Sequence, residues 1–436
     1  MEPEPRSRFA DLARFPVSGM MAIPPADRPA ALLLFVYAFG GAGGYVIART
    51  VADSQFLSQI GPAKLPAMYL VAAGAVALAS VLYGWCAQRC SLRRIVRWTL
   101  ISYAVISLVL PMLMRNHPGS LVLLAGVYIF AQIRGAVGSV QFTTLLNEQF
   151  ARGRQANVFG VVGAGATTAG IVLGALVGWL AKHMATEDLM YLAAAMDLVA
   201  FAPVLFLRSG SGAAAGEPES ERAFGSDALP QDARGAGGFR PPLALIAGLV
   251  CLAVLASTLV EFQWKVAAAD SLARDNVRLT RFFGYYYAVV FLLTGMAQLI
   301  LTGRIIRRLG LLPALMVLPL TLGLATVCTL VVSVQRIALW AITLAKGCDV
   351  LRRSLNDPAM QMLYAPMPKH TRRRAIAVAF GIVKPSSEAL AAVGILLAVP
   401  SVAVREFSYI VLVLAVLWLG LIAWYRAGKR HWSPQH

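Results

Sequence analysis

Apolar runs long enough to cross a bilayer recur along the whole chain, and this pattern fixes the fold class before any motif is read. They lie at about residues 29–50, 65–87, 96–114, 120–145, 157–181 and 188–207, then at 242–265, 282–303, 311–333, 337–360, 374–400 and 407–426. The chain is 58% hydrophobic and 14% charged, where a soluble domain carries about a quarter charged residues. The expected fold is therefore an all-α membrane protein of twelve transmembrane helices. Residues 208–241, rich in Gly, Ala, Ser and Pro, read as a flexible linker between an N-terminal six-helix half, 29–207, and a C-terminal one, 242–426. Residues 1–28 and 427–436 are the tails.

Charge sets the orientation. The connections Gln88–Arg97, Glu148–Arg154, Arg304–Arg308 and Lys369–Arg374 hold thirteen Lys and Arg, against eight on the opposite side. Basic loops stay in the cytoplasm, so both termini and the linker are expected there, in a multi-pass protein of the inner membrane. The excess of 39 Lys and Arg over 21 Asp and Glu is accounted for in this way and forms no basic domain, which excludes nucleic acid as a partner. The N-terminal tail lacks an apolar core with a cleavage site, so the first span is the expected insertion signal.

The halves look like distant copies. Ala52-Asp53-Ser54 recurs as Ala269-Asp270-Ser271, Arg134-Gly135 as Lys346-Gly347, and Tyr83-Gly84 as Thr302-Gly303, all in nearly one register. A duplicated chain of this kind predicts a carrier with its site between the halves.

Within the tenth run stands Lys346 to Asn356, KGCDVLRRSLN. Lys346, Asp349, Arg352 and Arg353 facing lipid would cost on the order of 10 kcal/mol, so this face must turn inward. On a regular helix Lys346, Asp349 and Arg353 fall within roughly a 60° arc, with Arg352 to one side. Three cations against one carboxylate leave a surplus that an anionic partner would compensate. Other charges interrupt other spans. Arg49 and Asp53 at the outer end of helix one, Glu261 and Lys265 at that of helix seven, and Lys384 and Glu388 beside Pro385 in helix eleven are each spaced for a local i,i+4 ion pair. The two end pairs read either as local pairs or as functional ones, and the central pair as functional. Arg134 in helix four and Asp197 in helix six either neutralise each other or serve the site. Among the charges just named, leaving aside the helix-one pair, six cations stand against four carboxylates, and the excess comes from Lys346, Arg352 and Arg353 against Asp349.

The small-residue repeats have bland accounts. Ala166, Gly170, Gly174 and Gly178 in the fifth span permit close helix packing or a sliding face. The FGGAGGY of Phe39–Tyr45 precedes no Lys-Ser or Lys-Thr and follows no strand, so it is a packing or hinge element and not a phosphate loop. Cys86, Cys90, Cys251, Cys328 and Cys348 have no metal-ligand spacing, no histidine sits mid-span, and neither a cofactor nor an enzymatic activity is expected.

Gly84, Gln88, Arg89, Arg93 and Arg94, and again Gly303, Arg307, Arg308 and Gly310, resemble the G-x-x-x-D-R-x-G-R-R signature of the major facilitator superfamily without its acidic residue. Arg49-Thr-Val-Ala-Asp53, Arg281–Tyr287, Gln298–Gly310 and Arg353–Tyr364 leading to Arg372–Ala375 resemble bacterial relatives of the ATP/ADP translocase family, over roughly residues 30–205 and 243–425. That resemblance implies exchange of nucleotides or other anions, with Arg49, Asp53, Lys346 and Arg353 as site residues. A Gly and Ala run stands before Arg49 where that family typically has an additional Lys.

The expected function is secondary active transport of an anionic organic or phosphorylated solute by a monomer, with a proton or counter-anion as coupling partner. Lys346, Arg352 and Arg353 bind the anion, with Arg134 and Arg49 contributing. Asp349 holds the cations when the cavity is empty, Lys384 and Glu388 break and reform, Glu388 or Asp349 takes a coupling proton, and Asp53, Glu261 and Lys265 gate. Its rivals are a proton-coupled exporter of amphipathic compounds, whose cavity acids would dominate, and a non-transporting scaffold or sensor, whose cavity mutual salt bridges would close.

Overall fold

A computed structural model describes residues 23–25, 27–150, 155–207, 243–299, 305, 310–332, 335–364, 367, 375–376 and 378–431. These form twelve helices and, among the described residues, no strand. In the first half they are α1 Arg28–Gln59, α2 Leu65–Ala87, α3 Leu92–Asn116, α4 Leu121–Gln149, α5 Gln155–Leu180 and α6 Leu189–Phe206. In the second they are α7 Leu243–Ser271, α8 Asn276–Ala297, α9 Leu311–Val331, α10 over 335–364, α11 over 379–398 and α12 Phe407–His431. The expected linker 208–241 and most of the tail 1–28 lie outside the described residues, and α12 runs on into the expected C-terminal tail.

Two helices are irregular. α10 consists of Gln335–Gly347, Asp349–Leu351, a π-helical turn Arg352–Asn356 and Asp357–Tyr364, and α11 opens with a π-helical turn Ala379–Val383 before Lys384–Ala398. The regular helix expected over 337–360 is thus interrupted beside its own charges. At the break the carbonyl of Lys346 accepts a hydrogen bond from the Tyr286 hydroxyl at 3.1 Å, which satisfies a group the helix no longer pairs. Boundaries elsewhere also move. α1 extends to Gln59 and α7 to Ser271, so Arg49–Asp53 and Glu261–Lys265, expected at helix ends, sit inside continuous helices. The reason is composition: Val51 to Leu57 are buried, as are Val266, Ala268 and Ala269, and no Gly or Pro interrupts α1 between Gly44 and Gly61.

Ten helices among the described residues are long and apolar enough to cross a membrane. The exceptions are α10, with its charges and breaks, and α8, with Arg278, Arg281 and Tyr285 to Tyr287. Large apolar side chains such as Leu78, Val81, Trp98, Met112, Phe206, Leu324 and Trp424 point outward, as a lipid-facing surface requires.

The packing repeats between halves. α1 packs on α4, α5 and α6, as α7 packs on α10, α11 and α12; α3 meets α6 as α9 meets α12. Between the halves, α5 lies on α8 and α2 on α11, a pair of contacts that a pseudo-two-fold axis interchanges. The apolar cores show how far this seam extends. At the linker end, where α1 begins and α6 stops, each half has its own core: Leu34, Val96, Leu146 and Val204 in one, Leu249, Leu318, Leu363 and Trp418 in the other. At the far end a single core joins Phe56, Met68 and Tyr128 of the first half to Trp264, Phe283 and Ile395 of the second. The two halves are closed together at the far end and part toward the linker end.

Glycine makes that closure possible. A Cβ on Gly174 of α5 would stand 2.8 Å from the Ala288 nitrogen and 2.9 Å from the Gly284 oxygen of α8, both backbone atoms that cannot move aside. Gly→Ala in a free helix gains about 1 kcal/mol, whereas forced overpacking costs about 1–3 kcal/mol. Gly174→Ala is therefore expected to lower the melting temperature of the purified protein, while Gly160→Ala on the same helix, where a Cβ meets nothing within 4 Å, leaves it unchanged or raised.

Candidate functional site

The charged residues of α1, α7 and α10 meet in one layer, at the level where the shared core ends and the halves separate. Its centre is Glu261. The carboxylate takes Nη2 of Arg49 at 2.6 Å, Nζ of Lys265 at 3.0 Å and Nζ of Lys346 at 3.3 Å, from three different helices. Lys265, wholly buried, bonds Asp53 across the seam at 2.8 Å and donates to the Tyr128 hydroxyl at 3.0 Å. Arg49 also donates to the hydroxyls of Tyr45, at 2.7 Å, and Tyr287, at 2.9 Å, and its distance to Asp53 is 3.7 Å.

The two end pairs read from the sequence, Arg49–Asp53 and Glu261–Lys265, are therefore present, but each also exchanges partners with the other. Arg49–Asp53 on α1 and Glu261–Lys265 on α7 share the i,i+4 spacing and carry their charges in opposite order along the two helices. The duplicated helices α1 and α7 thus cross-link through a charge-reversed quartet, and each retains an internal partner when the helices separate.

On α10, Asp349 bonds Lys346 at 2.8 Å and lies 3.5 Å from Nε of Arg352. Arg352, expected to one side of the cluster, joins it. Arg353 differs: among the described residues it has no carboxylate within 4 Å, and its guanidinium lies 5.0 Å from the ring centroid of Phe291 on α8. Asp357, a turn further along and exposed, makes no ion pair among the described residues either.

These side chains line a cavity of about 130 Å³ bounded by Tyr45, Val46, Arg49, Glu261, Tyr287, Phe291, Lys346, Asp349, Arg352 and Arg353. Four cations face two carboxylates across it, and the buried Lys265 and Asp53 behind cancel each other. Withdrawing a guanidinium from water without a partner ion costs several kcal/mol. Its contact with an aromatic face returns about 0.5–2 kcal/mol. The surplus expected from the sequence survives all of the pairing.

The remaining candidates lie elsewhere. Arg134 and Asp197 form a buried ion pair with each other inside the first half, with Ser107 at 3.5 Å from the guanidinium. Gly44, from the FGGAGGY element, makes room for it, since a Cβ there would overlap Nη2 of Arg134. Arg134 does not line the cavity. Lys384 is exposed and Glu388 half-buried, and among the described residues they form no ion pair within 4 Å. Tyr45, Tyr287 and Phe291 are cavity residues the sequence reading passed over. Their signal was placement: Tyr45 is four residues before Arg49, and Tyr287 and Phe291 are four apart on one face of α8.

The sequence matches the model of the Major Facilitator Superfamily over residues 30–392. The chain belongs to the major facilitator superfamily. Three solved structures of similar fold are a POT family transporter in complex with a thioalcohol-conjugated peptide, the nucleoside transporter NupG, and the xylose transporter XylE from E. coli in a partially occluded inward-open conformation. The first has a TM-score of 0.66 and 13% identity, covering 95% of this chain and 99% of that one. NupG has 0.61 and 12%, covering 91% and 98%. XylE has 0.61 and 12%, covering 91% and 97%. No curated protein matches by sequence.

In this major facilitator the signature-like connection between α2 and α3 has a structural use. Arg93 donates to the Leu207 carbonyl at 2.8 Å and Arg97 to that of Val204 at 3.3 Å, which caps the last turn of α6 with positive charge. Arg89 stacks on Trp85 at 3.8 Å. The second copy, at Gly303, Arg307 and Arg308, lies outside the described residues.

The quartet carries a stability prediction. Lys265→Met leaves Asp53 and Glu261 each short of a buried partner and is expected to cost about 3–5 kcal/mol. Adding Asp53→Asn removes one of the stranded charges, so thermal unfolding of the double variant should show a smaller loss than the single variant alone.

Proposed function

We propose that this major facilitator is a secondary active transporter of the inner membrane, with its termini cytoplasmic, and that its solute is an organic or phosphorylated anion. One observation carries the reading: a cavity at the inter-half seam lined by four cations and two carboxylates, in which Arg353 has no carboxylate partner among the described residues. In a low-dielectric seam the missing negative charge is worth several kcal/mol, and a solute bearing it supplies that energy on binding. The sequence resemblance to ATP/ADP translocase relatives, which runs through Arg49, Asp53, Lys346 and Arg353, supports an anion and makes a nucleotide one member of the solute class.

In the mechanism the solute enters from the linker end, where the halves part. Arg352 and Arg353 take its anionic group, and Lys346 joins them as that group competes with Glu261 for the ammonium. Glu261 then keeps Lys265, its own i,i+4 partner at 3.0 Å. Rocking of the halves trades the cross-seam pairs Arg49–Glu261 and Lys265–Asp53 for the intrahelical pairs Arg49–Asp53 and Lys265–Glu261, so no charge of the quartet is stranded. The proton-coupled exporter reading fits less well, because both cavity carboxylates are held by cations.

The ion pairs at Glu261 also favour a second reading, a non-transporting sensor whose cavity is held shut. One experiment separates the two. In proteoliposomes, wild-type protein is expected to accumulate at least one of labelled ADP, glucose 6-phosphate and succinate, and Arg353→Gln to reduce that uptake about 10- to 100-fold with unchanged insertion. Equal uptake by the variant removes Arg353 from the site, and no uptake by wild type favours the sensor.

A further inference from the structure

The ring of Phe291 touches both halves of the molecule. On its own side it underlies Arg353 of α10, whose guanidinium carbon lies 5.0 Å from the ring centroid. On the other side it presses on α5. A Cβ at Gly170 would overlap Cδ2 and Cγ of the ring and stand 2.7 Å from Cδ1, so the ring occupies the space that any other residue at 170 would fill. A turn further along, a Cβ on Gly295 of α8 would stand 3.1 Å from Cγ2 of Thr167 on α5. Phe291 is therefore seated against the first half while it supports a cation of the second. Four residues earlier on the same face, the Tyr287 hydroxyl accepts from Nε of Arg49. One stripe of α8 thus orients two guanidinium groups that arrive from opposite halves.

We propose that Phe291 is the positioning residue for anion binding: it holds the Arg353 guanidinium toward the cavity, and Gly170 makes that hold depend on closure of the far end. This inference rests on the reading of Arg353 as an anion ligand. A guanidinium has five donors in one plane, and a planar support leaves the edge donors free for a carboxylate or phosphate group. An aliphatic side chain of similar length would fill the space without fixing the plane. The seat at Gly170 exists while α5 and α8 are in contact, the arrangement in which the cavity opens toward the linker end. When the halves rock, the ring loses its backing and Arg353 its support. The site consequently holds the anion more tightly when open to the linker end than when open to the far end, so release at the far end is favoured.

The test uses purified full-length protein and reads dissociation constants from thermal stabilisation by ADP, pyrophosphate and citrate. Wild type is expected to bind at least one of them. Phe291→Leu should weaken that constant about 2- to 30-fold, the range of a guanidinium–aromatic contact. Phe291→Trp should restore it to within about threefold, since indole offers the better face. In an Arg353→Gln background the Phe291→Leu change should have no further effect, which a merely structural role would not produce. Gly170→Ala, which displaces the ring without removing it, should weaken binding as well and serves if Phe291→Leu does not fold. Undiminished binding by Phe291→Leu or Gly170→Ala overturns the positioning role and leaves the anion site standing. Failure of wild type to bind any of the three overturns both.

Discussion

The carboxylate of Glu261 is the interaction on which the arrangement of the two halves depends. It gathers Arg49 from one half and Lys265 and Lys346 from the other within 3.3 Å. Three cations converging on one half-buried point would repel one another, so this layer holds together through Glu261, with Asp53 and Asp349 completing the balance for two of the cations. Such a network contributes little net stability relative to an apolar core, because desolvation offsets most of the Coulomb gain. Its value here is positional: it fixes which residues of α1, α7 and α10 face each other at the level where the cavity begins.

The apolar part of the fold complements this charged layer. Beyond it, at the far end, the halves share one core and approach backbone to backbone at Gly174 and Gly284. Before it, at the linker end, each half closes a core of its own. A seam that is glycine-smooth on one side and absent on the other can open and close without unpacking either half, which is the mechanical requirement for alternating access. The quartet adds the electrostatic requirement, since α1 and α7 each keep an internal ion pair on separation. The first device comes from the duplication, since α5–α8 and α2–α11 are interchanged by the pseudo-symmetry, and the quartet joins α1 to α7, the first helices of the two halves.

Much of this was legible in the sequence. Twelve helices, two related halves and the inward turn of the Lys346–Arg353 face follow from span length and from the cost of charge in lipid. The surplus of cations over Lys346, Asp349, Arg352 and Arg353 was countable and persists at the cavity. The close approach of α5 followed from Ala166, Gly170, Gly174 and Gly178, although its partner, α8, did not, because spacing on one helix says nothing about which surface it meets. Three features stayed hidden for physical reasons. The π-helical turn at Arg352–Asn356 interrupts the regular helix beside its own charges, and spacing along a chain does not show where such a break falls. Arg49 and Glu261 read as members of local pairs because i,i+4 geometry is visible along a chain and a contact between halves is not. The aromatic wall of Tyr45, Tyr287 and Phe291 looked like ordinary membrane-helix composition until the cations stood against it.

The central claim is that the cavity is short of negative charge when empty. It is tested most directly by titrating purified wild-type protein with homologous solutes that differ only in charge: a dicarboxylate, its monoamide and its diamide. The account predicts that stabilisation falls in that order and is weakened by added salt, since a ligand bound by the folded state alone raises its stability in proportion to its affinity. Equal stabilisation by all three, or strongest stabilisation by the neutral diamide, would contradict it.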